Sequence, residues 1–398
     1  MSVKRKDTKG RILRDGEIQK ADGRYEFRYK DANGTLRSLY SWKLTEADSI
    51  PAGKRACKSL RELEKEALRD AQDGITHSKA TLNERFENYI LSRPELRQST
   101  KTLYTYLYDH FVRDEIGNMQ ITSINYSMIK RFFNHLLTDL ELKMMTVDNV
   151  NTVLHPVFTV AVRDGLMRTN PMNGIMAELK KSYVWSKPKR HSLTEEQQMI
   201  FTQAIGKSPM KPLFILMLGT GCRVGEALGL RWQDVLWDEG VISINHILQY
   251  GMIEGKAKFS VSPPKTACGV RMIPMMQAVR EALREEYKRQ ERDGFCKSVV
   301  DGYSGFIFCN KNGRVLMPQN VNREIDRIAK KSGIDHFSSH QLRHTFCTRI
   351  CQNETDLKLI QEVMGHSDIS ITMDIYNESN MERKKASFAR LEAASIYH

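Results

Sequence analysis

The 398-residue sequence predicts a chain of several domains, mainly α-helical with small β-sheets. Three observations lead there. The chain is longer than one hydrophobic core ordinarily serves, and its 40% hydrophobic content can build two or three. Apolar residues recur at helical spacing through most of it, while strand-like alternation is confined to short stretches near the N-terminus and past residue 240. Between residues 180 and 190 the sequence turns wholly basic around Pro188, with no acid, and reads as an exposed linker between folded parts.

Residues 1–79 form a small basic module, with 19 Lys and Arg against 13 Asp and Glu, close to half of the net charge of +13. Arg24 to Lys30 (RYEFRYK) alternates, with Tyr25, Phe27 and Tyr29 on one side and Arg24, Glu26, Arg28 and Lys30 on the other. That is a strand with a dry face and a charged face. Asn33-Gly34 supplies a turn, and Leu36 to Trp42 returns beside the first strand, followed by Lys43. Ser59 and Glu62 have the form of a capping box, opening a helix with Leu60, Leu63, Ala67, Leu68 and Ala71 inward. A three-stranded sheet on one helix leaves Arg24, Arg28, Lys30 and Lys43 free to enter a DNA major groove, which admits a two-stranded ribbon.

Residues 80–179 read as a helical bundle. Thr81 and Glu84 cap the first helix, and apolar stripes recur at Phe86, Tyr89 and Ile90, at Tyr104, Leu107 and Phe111, at Ile129, Phe132, Phe133 and Leu136, and at Val153, Val157, Val160 and Ala161. Four or five helices are expected, with Lys101 a candidate phosphate contact. The basic linker, residues 180–191, carries Lys187, Lys189 and Arg190 and is expected to lie along phosphates.

Residues 192–398 form the last domain, whose first helix is capped by Thr194 and Gln197. The apolar run Leu213 to Leu218 ends in GTGCRVG, which imitates a dinucleotide-binding glycine loop, but the spacing is GxGxxxG and no βαβ unit with a downstream acid follows. The glycines instead break one helix and start another, placing Arg223 in a first turn with Glu226 as its partner. Strands are expected at Val241 to Leu248 and Phe259 to Ser262. Pro263-Pro264-Lys265 and Arg271 to Pro274 then suggest a hairpin with Lys265 at its turn, and Lys256 and Lys258 lie close by.

Phe337 to Tyr376 concentrates the reactive side chains. Ser338 and Gln341 cap a helix on which His340 and Arg343, at i and i+3, are expected side by side. Asp356 to Met364 is a second helix, stopped by Gly365 as its C′ residue, and His366 follows at once. Tyr376 lies in a β-branched stretch that fits helix or strand. Beyond it, Met381 to Ala394 reads as a tail helix with an apolar stripe, to be covered in cis by its own domain or in trans by a neighbour.

Phosphate chemistry is the economical account of these residue types together. Guanidinium groups bind phosphate oxygens bidentately, imidazoles hydrogen-bond them, and a phenol can attack phosphorus. Such a site calls for no metal and no cofactor. His340 and His344 imitate a zinc-binding HExxH, but position 341 is Gln, so the general base of that motif is missing. His344, Cys347 and Cys351 lack a fourth ligand, and thiols buried in a helix core are the better expectation. The net charge of +13 favours a nucleic acid partner over a membrane, since no apolar stretch approaches the roughly 20 residues of a spanning helix. Seven scattered cysteines and an N-terminus without an apolar signal core fit a reducing cytoplasm.

With Arg223, Lys265, His340, Arg343, His366 and Tyr376 in that order, the chain resembles the tyrosine recombinase (phage integrase) family. TGCRVGEALGLRWQDV, PPKT, HQLRHTFCT and MGHSDISITMDIY are the pieces that carry the likeness. The N-terminal module and helical bundle look like the arm-binding and core-binding domains of integrases from conjugative transposons. The resemblance implies an α+β catalytic domain over residues 192–398. In it Arg223 and Arg343 clamp the scissile phosphate, His340 and His366 hydrogen-bond it, with His340 also placed to take the tyrosine proton, and Lys265 protonates the leaving 5′ oxygen. Tyr376 is the nucleophile that leaves a 3′-phosphotyrosyl link. It further implies a tetramer on double-stranded DNA, core and arm-type sites, an excision helper protein, and a cytoplasmic, nucleoid-associated setting. Two other classes compete: a DNA-binding regulator without catalysis, which has no need of the tyrosine, and a type IB-like DNA-relaxing enzyme, which has no need of an arm-like module.

Overall fold

The computed structural model describes residues 5–76, 78–186, 191–253, 256–264, 266–354, 356–370, 372–373, 388–389 and 392. The chain divides into two compact units, residues 1–187 and 188–398. Lys187, Lys189, Arg190, Lys265, Tyr376 and nearly all of the expected tail helix lie outside the described residues.

Two hydrophobic cores organise the first unit. Around the smaller, β1 (Glu17–Gln19), β2 (Tyr25–Lys30) and β3 (Leu36–Ser41) form an antiparallel sheet in that order. Tyr25, Phe27 and Tyr29 pack with Leu60 and Ala67 of α1 (Leu60–Gln72), which Ser59 and Glu62 cap as the sequence suggests. On the outer face Arg24, Arg28 and Lys30 are exposed beside Leu36 and Tyr40. Glu26, expected among the exposed charges, is buried. Lys20 at 2.8 Å and Arg28 at 3.0 Å cover its carboxylate and push its pKa down to about 2. The inward face of α1 also differs from expectation. Leu68 is exposed, and Glu64 is buried between Leu60 and Ala67, because spacings of four and three continue one stripe through the acid. Burial raises the pKa of Glu64, with Arg14 at 3.6 Å as partial compensation.

The larger core of the first unit lies within five helices: α2 (Leu82–Leu91), α3 (Gln98–Phe111), α4 (Tyr126–Thr138), α5 (Met144–Arg163) and α6 (Ile175–Ser182). The apolar stripes meet here, with Phe86 stacked on Tyr108 and Ile129, Phe133, Val153 and Val157 buried. At its end α6 overruns the expected linker boundary. Ile175 and Leu179 hold one face on the core, so the helix continues to Ser182, and Lys180 pairs with Asp148 at 2.8 Å.

In the second unit α7 (Glu195–Ala204) and α8 (Lys211–Thr220) precede the short α9 (Val224–Gly229). A sheet in the order β4 (Val235–Leu236), β5 (Val241–Ile244), β8 (Arg271–Pro274) and a hairpin of β6 (Ile247–Ile253) and β7 (Lys256–Ser262) follow. The unit is completed by α10 (Gln277–Asp293), α11 (Pro318–Ser332), α12 (Ser339–Asn353) and α13 (Leu357–Met364). Two sequence expectations change here. Val241 to Leu248 is not one strand: it breaks at Asn245-His246, where the buried His246 ring bonds the Gly229 carbonyl at 2.6 Å and its two halves enter different sheets. Nor do residues 263–274 form a hairpin. β8 pairs with β5, placing Ile273 opposite Ile242 in the main core, and residues 266–270 contain a 3-10 turn ahead of it.

Glycines do break α8 from α9, and the third glycine of the imitation nucleotide loop has a packing role. A Cβ at Gly225 would stand 2.9 Å from the Leu248 carbonyl oxygen and 2.8 Å from Ile247 Cγ2, and one at Gly229 would stand 2.9 Å from the Leu248 amide nitrogen. α9 therefore lies backbone-close on β6. Gly225→Ala, which in an exposed helix would stabilise by about 1 kcal/mol, should here lower stability by about 1–3 kcal/mol through overpacking. A thermal unfolding scan checks the sign: an unchanged or raised Tm would show that the contact yields.

Candidate active site

Two helix C-termini, one helix start and one strand start converge in the second unit. α8 ends at Gly221, φ 63°, and α13 ends at Gly365, φ 62°, both left-handed. Neither position has room for a side chain. A Cβ at Gly221 would lie 2.5 Å from the Phe346 ring, and one at Gly365 would lie 2.9 Å from the Cys268 carbonyl oxygen and 3.0 Å from Arg271 Nη1. Arg223 caps α9, and Arg271 opens β8.

Glu226 lies between those two arginines. Its Oε1 accepts from Arg223 Nη1 at 2.8 Å, and its Oε2 accepts from the Arg223 backbone N–H at 3.0 Å and from Arg271 Nη2 at 2.8 Å. The carboxyl is only 1% exposed. Burial opposes its ionisation, yet Arg271 and Arg223 hold its pKa below the usual carboxylate range. Arg343, on the inner side of α12, is 3% exposed and donates through Nη1 to the Gly221 carbonyl at 2.7 Å and through Nη2 to the Met364 carbonyl at 2.6 Å. Burial, and then repulsion from Arg223, lowers its pKa to about 10, so it stays charged at neutral pH.

His366 follows Gly365 into the same pocket. Its backbone N–H donates to the Gln361 carbonyl at 3.2 Å, Gln361 Nε2 donates to its carbonyl at 3.0 Å, and its Nδ1 is hydrogen-bonded to Thr372 Oγ1 at 2.9 Å. Burial and the positive charges of Arg343, Arg223 and Arg271 push its pKa down to about 3. The ring is therefore a neutral hydrogen-bonding group, poised between the arginines without adding charge.

Of the residues singled out from sequence, Arg223, Glu226, Arg343 and His366 come together. His340 does not stand side by side with Arg343: it is exposed on α12 with its ring 5.4 Å from that of His344, while Arg343 turns inward to the two carbonyls. Lys265 and Tyr376 lie outside the described residues, although the flanking Pro263, Pro264 and residues 266–270 are described, as are Thr372 and Met373 ahead of the tyrosine. In the first unit Arg24 pairs with Asp22 at 2.6 Å and lies over the Tyr40 and Trp42 rings, Arg28 pairs with Glu26, and Lys43 and Lys101 are half-buried. Among the described residues no group of three or more His, Cys, Asp and Glu side chains could hold a metal ion, and Cys347 and Cys351 are buried in a small core with Phe346, Ile360 and Met364. Nor is any helix among the described residues long and apolar enough to cross a membrane.

Sequence reasoning missed Arg271 and Thr372. The signal for Arg271 was present: it occupies the inward register of β8 with Ile273, while Met272 and Pro274 face out. A charge on the buried side of a strand needs a partner, and Glu226 is that partner.

Residues 192–383 match the phage integrase family, and residues 1–71 match the family described as the DNA binding domain of Tn916 integrase. The transposase from transposon Tn916 of Enterococcus faecalis is 32% identical over 404 residues, covering 98% of this chain and 97% of that protein. The chain belongs to the phage integrase family of tyrosine recombinases. It is a site-specific recombinase of the integrase type. The solved structure of a Tn1549 transposon integrase fragment, in complex with a circular intermediate DNA, resembles it with a TM-score of 0.70 at 26% identity, over 78% of this chain and 99% of that one. A λ integrase tetramer bound to a Holliday junction shares the fold at 20% identity, with a TM-score of 0.54 over 90% of this chain and 97% of that one. These likenesses lend no support to a non-catalytic regulator or a relaxing enzyme.

The neutral state of His366 fixes a pH dependence for the integrase. Unfolded, the imidazole has a pKa of about 6.5, and folded it lies at about 3. The unfolded chain therefore binds more protons between these values, and the stability present above pH 6.5 is lost as pH falls towards 3. From pH 7 to pH 5 this group alone should cost on the order of 2 kcal/mol. His366→Gln should flatten that part of the stability-pH curve, measured by thermal unfolding from pH 5 to pH 7; parallel curves would disprove the assignment.

Proposed function

We propose that the pocket holds the scissile phosphate of DNA and that the chain integrates and excises a mobile element through a 3′-phosphotyrosyl intermediate. One observation carries the reading: Arg223 and Arg271 share one buried carboxylate, and Arg343 and the neutral His366 adjoin them, so the pocket has excess positive charge where an anion is to be stabilised. Arg223 and Arg343 bind the nonbridging oxygens. Each guanidinium has five N–H groups, and the named carboxylate and carbonyl partners take only some of them. Glu226 orients Arg223. His366, its Nδ1 engaged by Thr372, offers Nε2 to the phosphate, and His340 approaches from the solvent side and takes the tyrosine proton.

Tyr376 Oη attacks phosphorus, the bond to the 5′ oxygen breaks, and Lys265 delivers a proton to that oxygen. Religation reverses these steps with the 5′ hydroxyl of another strand, so the phosphate bond is conserved and no cofactor is consumed. Residues 1–79 serve an arm-type site through the Arg24, Arg28 and Lys30 face, which fits the match of residues 1–71 to a DNA-binding family. Residues 80–179 and the linker 180–191, with Lys101, Lys187, Lys189 and Arg190, serve the core site on double-stranded DNA. Assembly as a homotetramer, an excision helper protein and a cytoplasmic, nucleoid-associated location complete the proposal.

Two substitutions test the roles. Tyr376→Phe removes one hydroxyl from a pocket whose phosphate grip lies elsewhere, so it should bind core-site DNA normally yet leave no denaturation-resistant adduct on a nicked suicide substrate; an adduct would point to Tyr397. Lys265→Ala should be slowed about 10²–10⁴-fold, the usual worth of a general acid, and largely recover when the bridging 5′ oxygen is replaced by sulfur, a leaving group that needs no proton. Absence of that recovery would move the acid to Lys256 or Lys258.

A further inference from the structure

Arg271 reaches acceptors on three separate elements of the pocket. Nη2 donates to Glu226 of α9 at 2.8 Å, Nε donates to the Val363 carbonyl in the last turn of α13 at 2.7 Å, and Nη1 donates to the Gly269 carbonyl at 3.1 Å. The first acceptor holds Arg223, the second belongs to the turn that delivers His366, and the third lies in the connection that carries position 265. The side chain is 5% exposed, and Gly365 has no Cβ to strike it, so the guanidinium sits in a closed slot.

We infer that Arg271 is a positioning residue for strand cleavage, locking the Arg223–Glu226 pair, the His366 turn and the 266–270 turn into one arrangement. The inference rests on the phosphate-binding reading of the pocket. Its physical basis is the planar fork of arginine: three N–H vectors fixed in one plane tie three elements together, whereas an ammonium on a flexible stem makes contact with one acceptor set at a time. Misplacing a catalytic group by about 1 Å can cost 10²-fold in rate. Loss of two of the three ties should therefore appear in the chemical step, with DNA binding unaffected.

The same geometry makes Arg271 and Glu226 a unit. Removing the arginine outright would take from the buried carboxylate the side-chain partner of its Oε2, leaving Arg223 alone to offset its charge. Arg271→Lys avoids this because it keeps a cation beside Glu226. Arg271→Met combined with Glu226→Gln removes both charges together and provides a second variant free of a buried unpaired ion.

The experiment measures covalent adduct formation by the full-length chain on a suicide core-site duplex, in single turnover with saturating protein, alongside duplex affinity and Tm. For Arg271→Lys the expected result is adduct formation slowed about 10- to 100-fold, with Kd within about twofold and Tm within a few degrees of the parent, as for any charge-preserving change. The double variant should be no slower than the slower of Arg271→Met and Glu226→Gln alone, because residues that act as one unit are not additive. A wild-type rate for Arg271→Lys, a loss confined to Kd, or additive effects in the double variant would each overturn the inference. Tyr376→Phe in the same assay separates the two readings. An adduct in that variant overturns the nucleophile, yet the Arg271 comparison stays readable, since it scores protein attached to DNA whatever residue attacks.

Discussion

Burying several like charges in one pocket is costly, and the second unit manages it through a single carboxylate. Glu226 accepts from Arg223 and Arg271 at once, and that bridge lets guanidinium groups stand close together, while burial first and then their repulsion lowers the pKa of Arg343 and keeps His366 neutral. Among the described residues, Glu226 is the acid that faces this cluster of arginines. Arg223 and His340 are exposed, whereas Arg343 and His366 are buried, so the pocket is open on one side.

Much of this was legible in the sequence because local rules applied. Capping boxes at Ser59, Thr81, Thr194 and Ser338 mark helix starts with reciprocal hydrogen bonds, and all four form. Gly365 ends α13 in the left-handed conformation that its position after Met364 demands. The strict alternation from Tyr25 to Tyr29 placed three aromatic rings in a small core. Arg343 and His366 could be grouped before any coordinates from phosphate chemistry, Arg223 joined them through the family resemblance and Glu226 as its near neighbour, and the four do meet.

What was not legible depended on tertiary pairing. Nothing local in Val241 to Leu248 announces that its two halves belong to different sheets; the break follows from His246 finding the Gly229 carbonyl, a partner 17 residues back. The hairpin expected around position 265 failed for a related reason, since turn-forming prolines indicate a change of direction but not which strand the chain meets next. Burial of Glu26 and Glu64 was hidden because period and pattern treat an acid as outward-facing, while the structure supplies Lys20, Arg28 and Arg14. Arg271 was overlooked for the opposite cause: its inward register was visible, but its importance lies in the Glu226 and Val363 acceptors, 45 and 92 residues away in sequence.

The two carbonyls that receive Arg343 have one more consequence. Gly221 caps the C-terminus of α8 and Met364 is the last residue of α13, so both acceptors sit at the negative poles of helix dipoles. These poles steady the guanidinium without placing another anion beside the substrate. A carboxylate in their place would compete with phosphate for the same N–H groups and repel it on arrival. Because the carbonyls are backbone, they also cannot swing away when a DNA strand departs. The arginine is thus held by groups whose positions the helices themselves fix, so its orientation is set by backbone rather than by mobile side chains.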